Sequence, residues 1–272
     1  MTRLKTADIL HIPRTLEKYD EELRKKTGCT LLEIAEDAAG TNATIIEIMR
    51  KSKAAVVPIS SGRGVIEGFC EAVAAILNHI GIKAVVTQAA DVAGIAEAYE
   101  RDSDLVFSAD DRKFIAINMR TKRVVDNAAS TAKAYVAALD RMANGLHGRQ
   151  VLVIGVGEVG NAAISTLILR KAKPIAVDVD KRKVKALSRS FDRKVSVFDK
   201  LTEALGQTNL IINTAPARNI LKADMINENT LISAPAIPVG LTLAALRKVG
   251  RNLIHDPLQL GVAAMGVEAC AN

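Results

Sequence analysis

Tryptophan is absent from the 272 residues, and aromatic side chains of any kind make up only 3% of them. A surface so poor in aromatic rings has few platforms on which bases of single-stranded nucleic acid could stack. Cysteine is almost as scarce. Cys29, Cys70 and Cys270 lie far apart and form no Cys-x-x-Cys pair, a pattern of reduced cytoplasmic thiols with neither a disulfide framework nor a zinc site. No run approaches the roughly 20 apolar residues that a membrane helix requires, and Arg3 and Lys5 are followed by no apolar stretch long enough for a signal peptide. These absences predict a soluble cytoplasmic protein with no nucleic-acid partner, no membrane partner and no metal.

What is present is aliphatic. Apolar residues make up 49% of a chain whose net charge is only +7, and 272 residues suffice for two modest domains, each burying its own core. Positive charge concentrates between Arg170 and Lys194, either as the solvated face of a helix or as an attractor of anions. There is no internal repeat and no low-complexity segment.

Residues 6–50 read as short helices. Pro13 suits a first helical turn, Leu16, Tyr19 and Leu23 follow at helical spacing, and Gly28 and Gly40 punctuate. The pattern then changes to short β-branched runs at 55–60, 83–87, 104–108 and 114–118. Helical segments at 65–80 and 92–101 separate the first three, which implies parallel pairing. An alanine-rich helix over 130–146 would bridge to a second alternation, with strands at 150–154, 174–178, 195–197, 209–213, 230–233 and 252–254 and a last helix from about 258. The fold class expected is α/β: short leading helices and an α/β substrate domain over 1–128, then a Rossmann domain, a doubly wound parallel sheet, over 129–272.

The stretch VLVIGVGEVG (151–160) is the strongest motif. A buried strand runs into Gly155, Gly157 and Gly160, spaced G-x-G-x-x-G as a helix begins. Such glycines allow a tight turn, a close approach of backbone amides to a pyrophosphate, and helix–strand packing. Asp178 ends the next strand at about the spacing expected of a ribose-binding acid, which favours NAD. Lys181, Arg182 and Lys183 follow at once and leave NADP open. Thr214, Ala215 and Pro216 in NTAPA, and Ala234 and Pro235 in SAPAIP, follow predicted strands and either line the cofactor groove or form ordinary turns.

In the front half, SSGRG (60–64) follows the first strand. Ser60, Ser61 and Arg63 could hold a carboxylate there, or the stretch is a capped helix start. Asp110 and Asp111 end a later strand, where they would suit an ammonium group or form a solvated turn. Asp256 follows the last strand and is a candidate second acid facing the cleft. An anion site and carboxylates opposite a dinucleotide domain suggest an amino acid or amine as substrate, and hydride removal from a carbon bearing nitrogen. No Tyr-x-x-x-Lys pair is present, which removes the short-chain dehydrogenase reading.

Taken in order, VVPISSGRGVIEGF, SADDRKF, VLVIGVGEVG, SAPAIP and HDPLQLGVAAM resemble the pyrrolysine synthase family over essentially the whole chain. The resemblance implies a front domain carrying the substrate site, a Rossmann domain binding NAD, and a substrate made of lysine joined through Nε to 3-methyl-D-ornithine. It implies that hydride leaves the terminal carbon of the ornithine part. Ammonia is then lost, and the α-amine closes the pyrroline ring of pyrrolysine. By position it assigns an amine of the substrate to Asp110 (as proton acceptor or as anchor), with Ser60, Ser61, Gly62 and Arg63 around it and Leu4 covering it. It places Gly155, Gly157, Glu158, Val159, Gly160 and Asp178 on the NAD. Two departures stand out. Asp256 in Asp-Pro-Leu-Gln replaces an expected glutamate, and Arg63 replaces a small or amide side chain. A homodimer is compatible with this layout. The N-terminal segment would act as a lid that excludes water during hydride transfer. Two other readings fit the residues: a different NAD(P)-dependent dehydrogenase acting on an amino acid or folate-like substrate, and an NADH-sensing protein without chemistry.

Overall fold

The computed structural model describes residues 4–41, 43–192 and 194–271. Four helices lead: α1 (Thr6–Ile9), α2 (Ile12–Thr27), α3 (Leu31–Ala39) and α4 (Ala43–Lys51). Pro13 sits in the first turn of α2, and Ile12, Leu16 and Leu23 recur on its buried face. Gly28 ends it at φ 74°, a left-handed conformation a side chain would strain. Thr30 opens α3 by exchanging hydrogen bonds with Glu33.

The first sheet follows, with β1 (Lys53–Val57), α5 (Phe69–His79), β2 (Lys83–Val86), α6 (Asp91–Glu100), β3 (Leu105–Ala109), β4 (Phe114–Asn118) and β5 (Val124–Asp126). The strand order is β2-β1-β3-β4-β5. The first three strands are parallel, as the strand–helix alternation implies, and β4 and β5 are antiparallel additions. Most boundaries in this half fall within two residues of expectation, and two differ by more. Pro58 cannot donate to a ladder, so β1 ends before it instead of running to 60. Gly68, at φ 80°, holds the chain outside the helix, so α5 begins at Phe69 and residues 61–68 form a loop.

The bridge α7 (Asn127–Met142) is capped by Asp126, whose Oδ1 accepts from the Ala128 N–H at 2.9 Å. The second sheet contains β6 (Gln150–Ile154), α8 (Glu158–Leu169), β7 (Lys173–Val177), α9 (Lys181–Ser190), β8 (Ser196–Val197), α10 (Leu201–Leu205), β9 (Leu210–Asn213), β10 (Leu231–Ser233), α11 (Leu243–Val249) and β11 (Leu253–Ile254), before α12 (Gln259–Cys270) ends the chain. Its order is β11-β10-β9-β6-β7-β8, all parallel. The chain enters in the middle at β6, winds outward to β8 and returns to β9. The strand order therefore reverses between β6 and β9, where a doubly wound sheet opens its crevice. The expected α/β class holds on both sheets.

The last helix binds the two halves together. Every residue of α12 is buried, and it lies against α3, α5 and α7. Its residues join those of α2, α5 and the front sheet in one core cluster. Gly266 is needed there, since a Cβ would stand 2.7 Å from Leu77 and 3.1 Å from Ile82. The one acid of α12, Glu268, accepts from Lys133, Ser130 and Arg123. A division into 1–128 and 129–272 is thus proposed for the order of the chain, while the last helix completes the core of the front half.

The leading segment belongs to the same core. Ile9 and Ile12 are fully buried, and Leu10 covers Gly68. The expected lid is therefore an integral layer, and deleting residues 1–12 would remove two core side chains along with any cover. Residues 1–3 lie outside the described residues. Among the described residues no helix is long and apolar enough to cross a membrane.

Candidate active site between the two sheets

At the glycine turn, each glycine answers to a different neighbour. Gly155 adopts φ 88° and presses on Ala215, whose N and Cβ would each lie 3.0 Å from an added Cβ. Gly160 packs on the turn itself, where a Cβ would stand 2.1 Å from the Gly155 carbonyl oxygen and 2.9 Å from Thr214 Oγ1. Thr214 closes the arrangement by donating to the Gly155 carbonyl at 2.8 Å. Gly157 differs, because beyond its own chain neighbours nothing lies within 4 Å of the place a Cβ would take. The protein's own packing leaves that position free. The open space adjoins the first N–H groups of α8, as a pyrophosphate requires. The residues present fit a dinucleotide.

Asp178 stands at the tip of β7. Its Oδ2 accepts from the Val156 N–H at 2.7 Å and its Oδ1 from the Asp180 N–H at 2.8 Å. The same carboxylate thus ties the glycine turn to the loop that follows β7. Thr214, Ala215 and Pro216 follow β9, beside the turn. Ala234 and Pro235 follow β10, the next strand outward, where the Ala234 carbonyl lies 2.7 Å from His255 Nδ1. Val159 is half-buried and Glu158 exposed at the start of α8.

The front loops hold one another. Ser60 donates to Asp91 through its N–H, at 2.8 Å, and through its hydroxyl, and these bonds pull the Asp91 carboxyl below its usual range. Asp111 Oδ2 accepts from the Arg63 N–H at 2.9 Å. Gly62, at φ 70°, lets that carboxylate approach, since a Cβ would stand 2.3 Å from Oδ2. Asp111 therefore ties the 60–64 loop to the turn after β3. Loop 60–64 does not abut a helix N-terminus, because α5 starts five residues later, at Phe69. Asp110 is exposed, and its Oδ1 accepts from the N–H groups of Arg112 and Lys113, each at 2.7 Å. The Lys113 and Arg112 amides hold its carboxyl below the usual range, so it is ionised at neutral pH. Leu4 is partly buried against the front core.

Asp256, expected at the cleft, is buried. Its Oδ2 accepts from the hydroxyls of Tyr19 at 2.9 Å and Tyr135 at 2.8 Å, and its Oδ1 from the Leu260 N–H at 3.2 Å. Burial pushes its carboxyl up, against the pull of the two hydroxyls, and raises both phenols well above their ordinary value. A leading helix, the bridge and the loop after β11 meet at this carboxylate.

Sequence reasoning missed Lys113 and Asp126. Asp126 caps α7 with Oδ1 and accepts from Lys113 Nζ at 2.8 Å with Oδ2, and the same Nζ lies 3.9 Å from Glu158 Oε1 on α8. The turn after β3 and the start of α8 therefore face one another, which sets the front loops opposite the glycine turn. The signal available was VVDN before the long helix, an acid at an N-cap whose second oxygen is left over.

Relatives sort the two halves differently. Residues 8–125 match the model of the pyrrolysine biosynthesis protein PylD, N-terminal domain, and residues 137–242 match that of shikimate/quinate 5-dehydrogenase. Pyrrolysine synthase of Methanosarcina acetivorans is 28% identical over 97% of this chain and 98% of its own, and that of Methanosarcina barkeri 26% over 97% of each. The chain is thus similar to pyrrolysine synthases along its whole length, front half included. Its match to the shikimate/quinate 5-dehydrogenase model and its likeness to pyrrolysine synthases make it a dehydrogenase. Solved structures with the same fold include shikimate dehydrogenase from Aquifex aeolicus (TM-score 0.56, 16% identity, 84% of this chain and 92% of that one). Quinate dehydrogenase from Corynebacterium glutamicum, solved with NAD, has a TM-score of 0.54 at 12% identity, over 80% of this chain and 92% of its own.

Proposed function

We propose that this chain performs the NAD-dependent oxidation that completes pyrrolysine biosynthesis, acting on lysine-Nε-(3-methyl-D-ornithine) at the terminal carbon of the ornithine part. The observation that carries the reading is the whole-length similarity to pyrrolysine synthases, front domain included. The front domain is the half to which the resemblance assigns the substrate site. The geometry supports it with an ionised carboxylate, Asp110, on a loop opposite a glycine turn that fits a dinucleotide. Bound NAD would supply the hydride acceptor.

The chain's own residues bind and orient. With its carboxyl held low by two amides, Asp110 anchors an ammonium better than it takes a proton, so we assign it to positioning the amine. Ser60, Ser61, Gly62 and Arg63 complete the substrate site, with Leu4 as its apolar cover. Asp256 contributes through the Tyr19 hydroxyl it holds, since three donors already occupy its carboxylate. Gly155, Gly157, Glu158, Val159 and Gly160 would hold the cofactor together with Thr214, Ala215, Pro216, Ala234 and Pro235. Asp178 favours NAD over NADP, because a carboxylate at the strand tip repels a 2′-phosphate. Three unpaired thiols support a cytoplasmic assignment, and a homodimer belongs to the same proposal.

The test is the product formed from the lysine–methylornithine amide and NAD, identified by its mass as pyrrolysine. No turnover of this amide, with turnover of another amino acid or of a folate-like compound, would transfer the chain to a different dehydrogenase reaction. Binding of NADH with no activity on any amine would make it a sensor. Asp110→Asn keeps the turn, because an amide oxygen accepts the same two N–H groups. It should still lower kcat/KM by about tenfold or more through the lost charge.

A further inference from the structure

We propose that Lys113, from the front half, carries a direct hold on the pyrophosphate of the bound dinucleotide. This rests on the cofactor reading above and adds to it a contact from the opposite side of the cleft. Lys113 is placed by its own backbone, since its N–H donates to Asp110 Oδ1 and its carbonyl accepts from the Asp110 N–H at 2.9 Å. Its ammonium is placed by Asp126, at 2.8 Å, and Asp126 is itself fixed by capping α7. One end of the Lys113 side chain is thus determined by three built elements: the turn after β3, the end of β5 and the start of the bridge.

The other contact of the ammonium is looser. Glu158 Oε1 lies 3.9 Å away, beyond hydrogen-bonding distance, and both side chains are more than half exposed. Such a pair is weak and yields readily to a better partner. Glu158 is the first residue of α8, next to Gly157, whose missing side chain leaves the open space in front of the helix. A diphosphate seated there carries two negative charges beside the Glu158 carboxylate, which repels them. Lys113 is the described cation paired with that carboxylate. On binding, the ammonium would keep Asp126 and exchange Glu158 for a phosphate oxygen, so that each half of the chain supplies charge to the same group. The hydrogen bond that Lys113 Nζ donates to Asp126 holds the Lys113 pKa up, so the ammonium stays charged throughout.

The experiment is a titration of NADH binding by nicotinamide fluorescence, and of ADP-ribose binding by calorimetry, with the full chain. Lys113→Met should weaken both about three- to tenfold at low salt, as expected for one partly exposed charged contact, and the deficit should shrink as salt screens it. Lys113→Arg should restore binding. Adding Glu158→Gln to Lys113→Met should recover part of the loss, because the repulsion that Lys113 offsets is gone. Unchanged affinity of Lys113→Met for both ligands overturns the proposal. A deficit for NADH without one for ADP-ribose also overturns it, by moving the contact to the nicotinamide half. Failure of the unaltered protein to bind NADH at all would overturn the cofactor reading itself, and is thereby distinguished from failure of this contact.

Discussion

Removing one hydroxyl should show how the leading helices are fastened. In Tyr19→Phe the buried Asp256 carboxylate loses one of its three donors and retains Tyr135 and the Leu260 N–H. The ring of Phe occupies the same space, so packing changes little and the lost bond dominates. A hydrogen bond to a charged group is worth about 1.5–3 kcal/mol. Asp256 is 5% exposed, so water cannot replace the donor and the upper part of that range applies. At about 2–4 °C per kcal/mol for a chain near this size, a loss of about 2–3 kcal/mol should lower the melting temperature by about 4–12 °C where Asp256 is ionised. The sign of the pH dependence follows from the carboxyl. Burial holds its pKa above the ordinary value, and the Tyr19 bond favours the ionised form. The deficit is therefore complete above the raised pKa and shrinks as acid protonates Asp256 in the folded protein. Differential scanning calorimetry of both proteins, from mildly alkaline to acid buffer, measures it. Coincident melting curves in the alkaline buffer would refute the assignment of Asp256 as the ionised acceptor of Tyr19.

Gly160→Ala should cost about 1–3 kcal/mol of stability by forcing a methyl against the Gly155 carbonyl, and NADH titration should show binding lost with it. Asp111→Ala releases the Arg63 N–H and should raise KM for the amine while leaving NADH affinity unchanged. Steady-state kinetics and fluorescence titration separate the two. Asp178→Ser should lower the ratio of kcat/KM for NAD to that for NADP by about tenfold or more. NAD itself should also bind less well, because the Val156 N–H loses its acceptor.

The second sheet was legible because its strands are continuous apolar runs and its glycines have single purposes, and β6 falls on the predicted 150–154. In the front half, β4 matches 114–118, a run without proline or glycine. β5 escaped notice because three residues, VVD, carry too little pattern. The start of α5 was misplaced because Val65 and Ile66 continue the apolar pattern while Gly68 breaks the backbone. Asp110 and Asp256 looked equivalent as acids after strands. Their difference, one exposed on a turn and the other enclosed by two phenols from helices 116 residues apart in sequence, arises from packing that no local pattern reports. Lys113 was passed over because a lysine after two aspartates reads as surface, and only the facing of the two strand-end loops gives it a second carboxylate.

The burial of α12 among the leading helices has a consequence for synthesis. As the chain leaves the ribosome, the front sheet emerges first but lacks the helix that fills its interior, which follows the whole second sheet in sequence. The second sheet can close on itself in the meantime, since its clusters draw on residues up to Leu253. The earlier-made half must therefore wait, with Leu77, Ile80 and Ile82 unpaired, until the later-made half is complete. A chain stopped short of Gln259 would carry a second sheet with its own core joined to a front half that lacks its central helix.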